Sequence, residues 1–251
     1  MEYDTLVLGS SFYNEFVLLG SLLALDEKIN LKNITNYVSV STSSIISLLL
    51  NLDFTINEII LFFYENKLLI NLYDLMTNKY EKNFQSLKIK TKLSSLIETK
   101  IRVIPTMYEL YLLTGKKIYF LVHNNENIDF ISYETMPNLT CIDAILYSIN
   151  SNKIYEIPPS ILTEDLYDAT LLNPFPIDFI EESDKAIGLY IKPNLELKDN
   201  KDITIQKLIN YKLDSLILNN KNCKIYFSNL NKIQNTSIQN LIHGYHLFTT
   251  I

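Results

Sequence analysis

Short β-prone runs alternate with stretches of helical apolar spacing along most of this chain. That pattern predicts an α/β fold with helices on both faces of a mostly parallel sheet. Three observations carry the prediction. Residues 5–9 (TLVLG), 36–40 (NYVSV), 117–123 (KIYFLVH) and 186–191 (AIGLYI) are short and rich in β-branched or aromatic side chains. Segments between them place apolar residues at three- and four-residue steps, the spacing of a helix that buries one face. No internal repeat and no linker divides the 251 residues, so the whole of 1–251 reads as one domain.

Taken in order, strand 5–9 leads into a helix over 14–25 whose apolar face comprises Phe16, Leu19, Leu22 and Leu23. Strand 36–40 ends in small hydroxyl residues, Ser39-Val40-Ser41-Thr42-Ser43, before helical spacing begins at Ile45. Thr55 and Glu58 form a capping box that opens an Ile-, Leu- and Phe-rich helix. Residues 77–95 are polar and lysine-rich and read as an insertion or mobile surface segment. Thr106 and Glu109 cap another short helix, ended by Gly115. Runs 117–123 and 129–133, joined through Asn-Asn-Glu-Asn, read as a hairpin-like pair, and Thr140 caps a helix to residue 149. After the break at Pro158-Pro159 come a short strand at 166–168, a short helix near 177–182 and strand 186–191. An amphipathic helix over 203–218, a strand over 223–227 and a terminal helix complete the chain.

Composition narrows the function classes. A net charge of −6 offers no basic surface for phosphates, which argues against nucleic acid as a partner. The 47% hydrophobic content supplies ample core for a folded protein. Cys141 and Cys223 are too few for a disulfide framework and suit a reducing compartment. The opening MEYDTLVLGS has no basic signal-peptide region, and the longest apolar segment, 16–25, is half the roughly 20 residues of a membrane span. An intracellular, cytoplasmic location is therefore expected. Neither glycine-rich nucleotide motif occurs, and the lone Gly115 before Lys116 reads as a helix C-cap. His243 and His246 have no acidic or cysteine companions nearby, so no metal and no cofactor is expected.

The turn at Ser41 is the chemically suggestive stretch. A strand turning sharply into a helix lifts one side chain off the backbone at a helix N-terminus, where dipole and free N–H groups favour developing negative charge. An ordinary Ser/Thr-rich cap leaves the same pattern. A triad in the order Ser41, Asp168, His243 fits the chain order of one hydrolase class. However, Ser41 lies too near the N-terminus for the sheet that class needs before its serine, and His123 precedes the acid.

Several segments together resemble the patatin-like phospholipase family. Leu6-Val7-Leu8, then Gly9 through Glu15, then Gly20 through Leu25 align without gaps on that family's first strand, glycine-rich loop and helix. Ser39-Val40-Ser41-Thr42-Ser43 occupies its G-x-S-x-G elbow. The segments 52–58, 105–116 and 144–148, with Pro158-Pro159, look like its later landmarks. Tyr167-Asp168-Ala169-Thr170 through Asn173-Pro174 and on to Asp178 resembles its D-G-[GA] box, and residues 183–188 its next strand. The resemblance is strongest over 4–195, with 196–251 completing the domain as helix, strand and helix. It implies a three-layer α/β/α sandwich and hydrolysis of lipid acyl esters through an acyl-enzyme, without metal. By the resemblance, Ser41 takes the nucleophile position and Asp168 the general-base position.

The departures are as specific as the match. Where the family's oxyanion loop reads G-G-G-x-[RK]-G, this chain has Ser10, Ser11, Phe12, Tyr13, Asn14 and Glu15. The elbow glycines are Ser39 and Ser43. A non-glycine residue forced to positive φ costs about 1–3 kcal/mol, and losing one oxyanion donor costs roughly 10²–10³ in rate. The resemblance, with these departures, implies a phospholipase A-type acyl hydrolase of weak or absent turnover. The alternative is a pseudoenzyme kept as a lipid-binding or protein-interaction module, so a lipid or membrane surface and a protein are the partners to expect. The loop itself should adopt conventional geometry with no pair of N–H groups aimed beside Ser41, and Phe12 should put its ring into the pocket or core.

Overall fold

The structure, a computed structural model, describes residues 3–11, 14–66, 79–124, 127–150, 166–170, 172–180, 185–192, 223–229 and 236–249. Its centre is a sheet of seven strands: β1 (Thr5–Leu8), β2 (Asn36–Val40), β3 (Lys117–His123), β4 (Ile128–Ile131), β5 (Tyr167–Asp168), β6 (Ala186–Lys192) and β7 (Cys223–Asn229). The spatial order is β4-β3-β2-β1-β6-β7, with β5 pairing on β3. From β3 across to β7 every pairing is parallel, while β4 and β5 run antiparallel to β3. All four strands expected to share one sheet do so. β1 is central and all four of its residues are buried, as expected of a parallel strand covered on both faces.

The chain builds outward from β1 through β2 to β3, then returns to β1's other side for β6 and β7. In such open sheets ligands bind outside the carboxyl ends of the strands. The carboxyl ends of β1 and β2 lead directly into residues 9–11 and 41–42, and β5 lays Asp168 opposite Val122 near the end of β3.

Helices α1 (Glu15–Asp26), α2 (Ser43–Asn51), α3 (Ile56–Asn66), α4 (Lys79–Ile101), α5 (Met107–Thr114), α6 (Cys141–Ser148) and α7 (Ser237–Thr249) pack around this sheet. Helix α1 is buried almost all round rather than along the single stripe read from its sequence, with Phe16 to Leu22 and Ala24-Leu25 all inside. Its outer side is covered by α7, and the two backbones meet at glycines. A Cβ on Gly20 would stand 2.0 Å from the Leu241 carbonyl oxygen, and one on Gly244 the same distance from that of Val17. The Ser21 hydroxyl bonds across this crossing to the Gly244 carbonyl at 3.2 Å.

Local chemistry explains several boundaries. Thr106 and Glu109 form the expected capping box, and Gly115 ends α5 in the left-handed conformation. Thr55 and Glu58 exchange the same reciprocal bonds ahead of α3, and Thr140 caps α6. Two readings need correction. The lysine-rich 77–95 stretch is no surface insertion over its described part: α4 runs through it, with Ile89, Leu93 and Ile97 buried four residues apart on one face. The helix expected near 177–182 is a single 3₁₀ turn, Ile177–Phe179. The expected helix over 203–218 and the Pro158-Pro159 break lie outside the described residues.

Candidate active site

Val40 ends β2 and Ser43 begins α2, so the chain reverses direction within Ser41 and Thr42. Ser41 takes φ of 61°, in the left-handed region that residues with a Cβ avoid at a cost of about 1–3 kcal/mol. Among the described residues other than glycine only Asp53 and Arg102 share this conformation, and both are exposed. Ser41 is 8% exposed, so the packing around it must hold the strain. Ser39 and Ser43 have no such conformation, and the strain foreseen for the lost elbow glycines falls on Ser41 instead.

Hydroxyl groups fill the elbow. The Ser41 N–H donates to Ser148 Oγ at 3.2 Å, and Ser148 Oγ lies 2.9 Å from Ser44 Oγ. Ser39 Oγ donates to Ser44 Oγ at 3.3 Å. Ser43 Oγ donates to the Val40 carbonyl at 2.6 Å and reaches the Leu8 carbonyl at 3.2 Å, tying α2 to β1. Each of these hydroxyls has a partner, which makes its burial tolerable.

The structure brings Ser41 and Asp168 together. Ser41 Oγ donates to Asp168 Oδ2 at 2.7 Å. The other carboxylate oxygen accepts from the Thr170 N–H at 2.8 Å and the Thr170 hydroxyl at 2.7 Å, which fixes the carboxylate's orientation. Desolvation pushes the Asp168 carboxyl above the usual carboxylate range, against the opposing pull of the Ser41 and Thr170 bonds and the His123 charge. β5 is itself held by Asn150, whose carbonyl accepts the Asp168 N–H at 2.8 Å and whose amide donates to the Leu166 carbonyl at 2.9 Å. His243 lies on α7, and its Nε2 has no partner among the described residues.

The loop after β1 is built differently. The Gly9 N–H donates to Leu189 in β6 at 3.0 Å, and the Ser10 N–H to the Pro174 carbonyl at 2.8 Å. Both amides are thus spent on the framework. Ser10 and Ser11 have no positive φ. Phe12, whose ring was expected in the pocket or core, lies outside the described residues. Ser11 Oγ and Thr42 Oγ1 are 3.1 Å apart and link the loop to the elbow. At the start of α1, Glu15 is wholly buried, and neither carboxyl oxygen has a partner at hydrogen-bonding geometry among the described residues.

Sequence reading missed Ser44 and Ser148 as parts of the site, gave Thr42 only as an elbow position, and treated Glu15 only as a replaced glycine. Ser148's signal is faint: a serine ending the otherwise apolar helix face of α6. Elsewhere among the described residues, no helix is long and apolar enough to cross a membrane.

Comparison with known proteins gives this arrangement a context. No protein-family model matches the chain. The "Probable lipid hydrolase 463L" of Invertebrate iridescent virus 6 is 31% identical over 207 residues, covering 78% of this chain and 68% of that protein. Among solved structures, VipD from Legionella pneumophila aligns over 100% of this chain with a TM-score of 0.55 at 13% identity. ExoU of Pseudomonas aeruginosa, crystallised with SpcU, aligns over 99% with a TM-score of 0.56, also at 13% identity. The chain spans 66% of VipD and 52% of ExoU. These likenesses place it in the patatin-like fold.

Proposed function

This chain belongs to the family of the viral lipid hydrolase 463L, and on that premise we propose that it is a slow serine acyl hydrolase of phospholipase A type. Ser41 is its nucleophile and Asp168 its base. The observation that carries the reading is the 2.7 Å bond from Ser41 Oγ to Asp168, made by a serine held at positive φ on a strand-to-helix turn.

In this mechanism Ser41 Oγ attacks the acyl carbonyl carbon as its proton passes to Asp168 Oδ2. The tetrahedral adduct collapses, the C–O bond to the lipid alcohol breaks, and the leaving oxygen takes that proton. Water then gives a proton to Asp168 while its oxygen attacks the acyl-serine. Release of the fatty acid returns the proton to Ser41. A base whose affinity for protons is raised by desolvation suits this shuttle.

Slow turnover follows from the loop. With the Ser10 N–H committed to Pro174, an oxyanion donor is missing on that side, worth roughly 10²–10³ in rate. The same observation favours a second reading, a pseudoenzyme that binds lipid or a protein partner. Hydrolysis of a short-chain ester and of phospholipid vesicles by the pure protein, beside Ser41→Ala, separates the two. Slow hydrolysis lost in Ser41→Ala supports the enzyme. Vesicle binding with no Ser41-dependent hydrolysis supports the pseudoenzyme and removes the first reading.

A further inference from the structure

Glu15 has no place in the mechanism above, yet its setting is costly. Its side chain is wholly buried at the first residue of α1, and no Lys, Arg or His pairs with it among the described residues. An isolated carboxylate in such a place costs far more than the protonated acid. Its polar neighbours are the hydroxyls of Thr42 and Ser11, themselves 3.1 Å apart. Thr42 follows Ser41 in the chain and is 6% exposed, while Ser11 is fully buried, so the outward end of this polar chain is at the elbow.

We propose that Glu15 is a positioning residue: a neutral carboxylic acid that orients the Ser11–Thr42 hydroxyl pair to donate toward the reacting carbonyl oxygen beside Ser41. This inference rests on the acyl-hydrolase reading. The direction of a hydroxyl chain is set by its inner end. An acid donates to the first hydroxyl, whose own proton then turns to the second, leaving the outer proton for the substrate oxygen. A carboxylate would accept instead, reverse the chain and present lone pairs to a developing negative charge. The Glu15 carboxyl is pushed above the usual range by burial, which outweighs the opposing influence of the nearby Thr42 hydroxyl, its own backbone N–H and the Ser11 hydroxyl. A neutral buried acid used as a hydrogen-bond donor is an established device for oxyanions. Here it would restore part of the donation that the loop's backbone does not give.

Two variants and one spectrum test this. Glu15→Leu removes a fully buried carboxyl that pairs with no cation among the described residues and should melt no lower than the wild type. Its kcat should nevertheless fall about 10–100-fold, somewhat less than loss of a direct donor, with little change in KM. Glu15→Gln keeps the shape and an N–H donor and should recover most of that loss. The infrared difference spectrum between wild type and Glu15→Gln at neutral pH should contain a protonated-carboxyl band that the variant lacks. Its absence overturns the proposal whatever the activity. Equal kcat in wild type and Glu15→Leu overturns it while leaving the Ser41 reading intact. No Ser41-dependent hydrolysis at all overturns both.

Discussion

The two halves of the site both carry serines beside a strand end, and their polar atoms are used in opposite ways. At the elbow, Ser39 and Ser43 stand in ordinary backbone conformations; the Ser39 hydroxyl joins Ser44 and Ser148 in a connected network, and that of Ser43 donates to the Val40 carbonyl. In the loop after β1, the amides of Gly9 and Ser10 bind framework carbonyls, and at the start of α1 the buried Glu15 carboxyl has no hydrogen-bond partner among the described residues. A buried serine is tolerable at a turn position that needs no positive φ and where its hydroxyl finds a partner. The elbow thus holds Ser41 at positive φ against Asp168, while the loop's amides at Gly9 and Ser10 are bound to the framework.

The largest effect separating the halves should come from the base. Asp168→Asn keeps the contacts to Thr170 but cannot accept the Ser41 proton, and kcat should drop by about 10²–10⁴, the usual worth of a general base. In the wild type, activity should rise with pH as Asp168 ionises, and that acid limb should lie above the ordinary aspartate range because desolvation raises its pKa. A profile flat down to ordinary aspartate values would remove Asp168 from that role.

Next in size is the anchoring of α1, the helix that carries the loop side. Gly20→Ala or Gly244→Ala sets a methyl group against backbone 2.0 Å away, which must push α1 and α7 apart. Urea unfolding should show a loss of about 1–3 kcal/mol, the usual cost of overpacking, or more. Unchanged stability would mean that the crossing is looser than described.

Ser148→Ala probes the elbow side. It strips the acceptor from the strained Ser41 amide and should lower stability by about 1 kcal/mol. It should also lower kcat more than it changes KM. Ser39→Gly and Ser43→Gly should have the smallest effect: no gain in activity, because neither position needs positive φ, and about 0.5–1 kcal/mol lost to backbone entropy at each. A gain from either glycine would show that the hydroxyl network distorts the elbow rather than supporting it.

Much of this was legible in the sequence, for physical reasons that differ by element. β1, β2, β3 and β6 announce themselves because buried parallel strands need continuous apolar runs. Ser41 and Asp168 lie 127 residues apart, and only the ordered set of motif resemblances brought them together. α4 was missed because lysines between Ile89, Leu93 and Ile97 dominate its composition and hide the four-residue spacing. Glu15 was missed for another reason. An acid in the first turn of a helix usually complements the dipole at the surface, and nothing local shows that α7 and the elbow enclose this helix.

The central claim is that Ser41 is an activated nucleophile, and covalent capture tests it most directly. A fluorophosphonate probe incubated with the pure protein should form one adduct, mapped by mass spectrometry to Ser41. Ser41→Ala should remove it, and Asp168→Asn should slow it by about 10²–10⁴, as expected for loss of the base. No adduct, or an adduct on another residue at an equal rate in Ser41→Ala, would contradict the account.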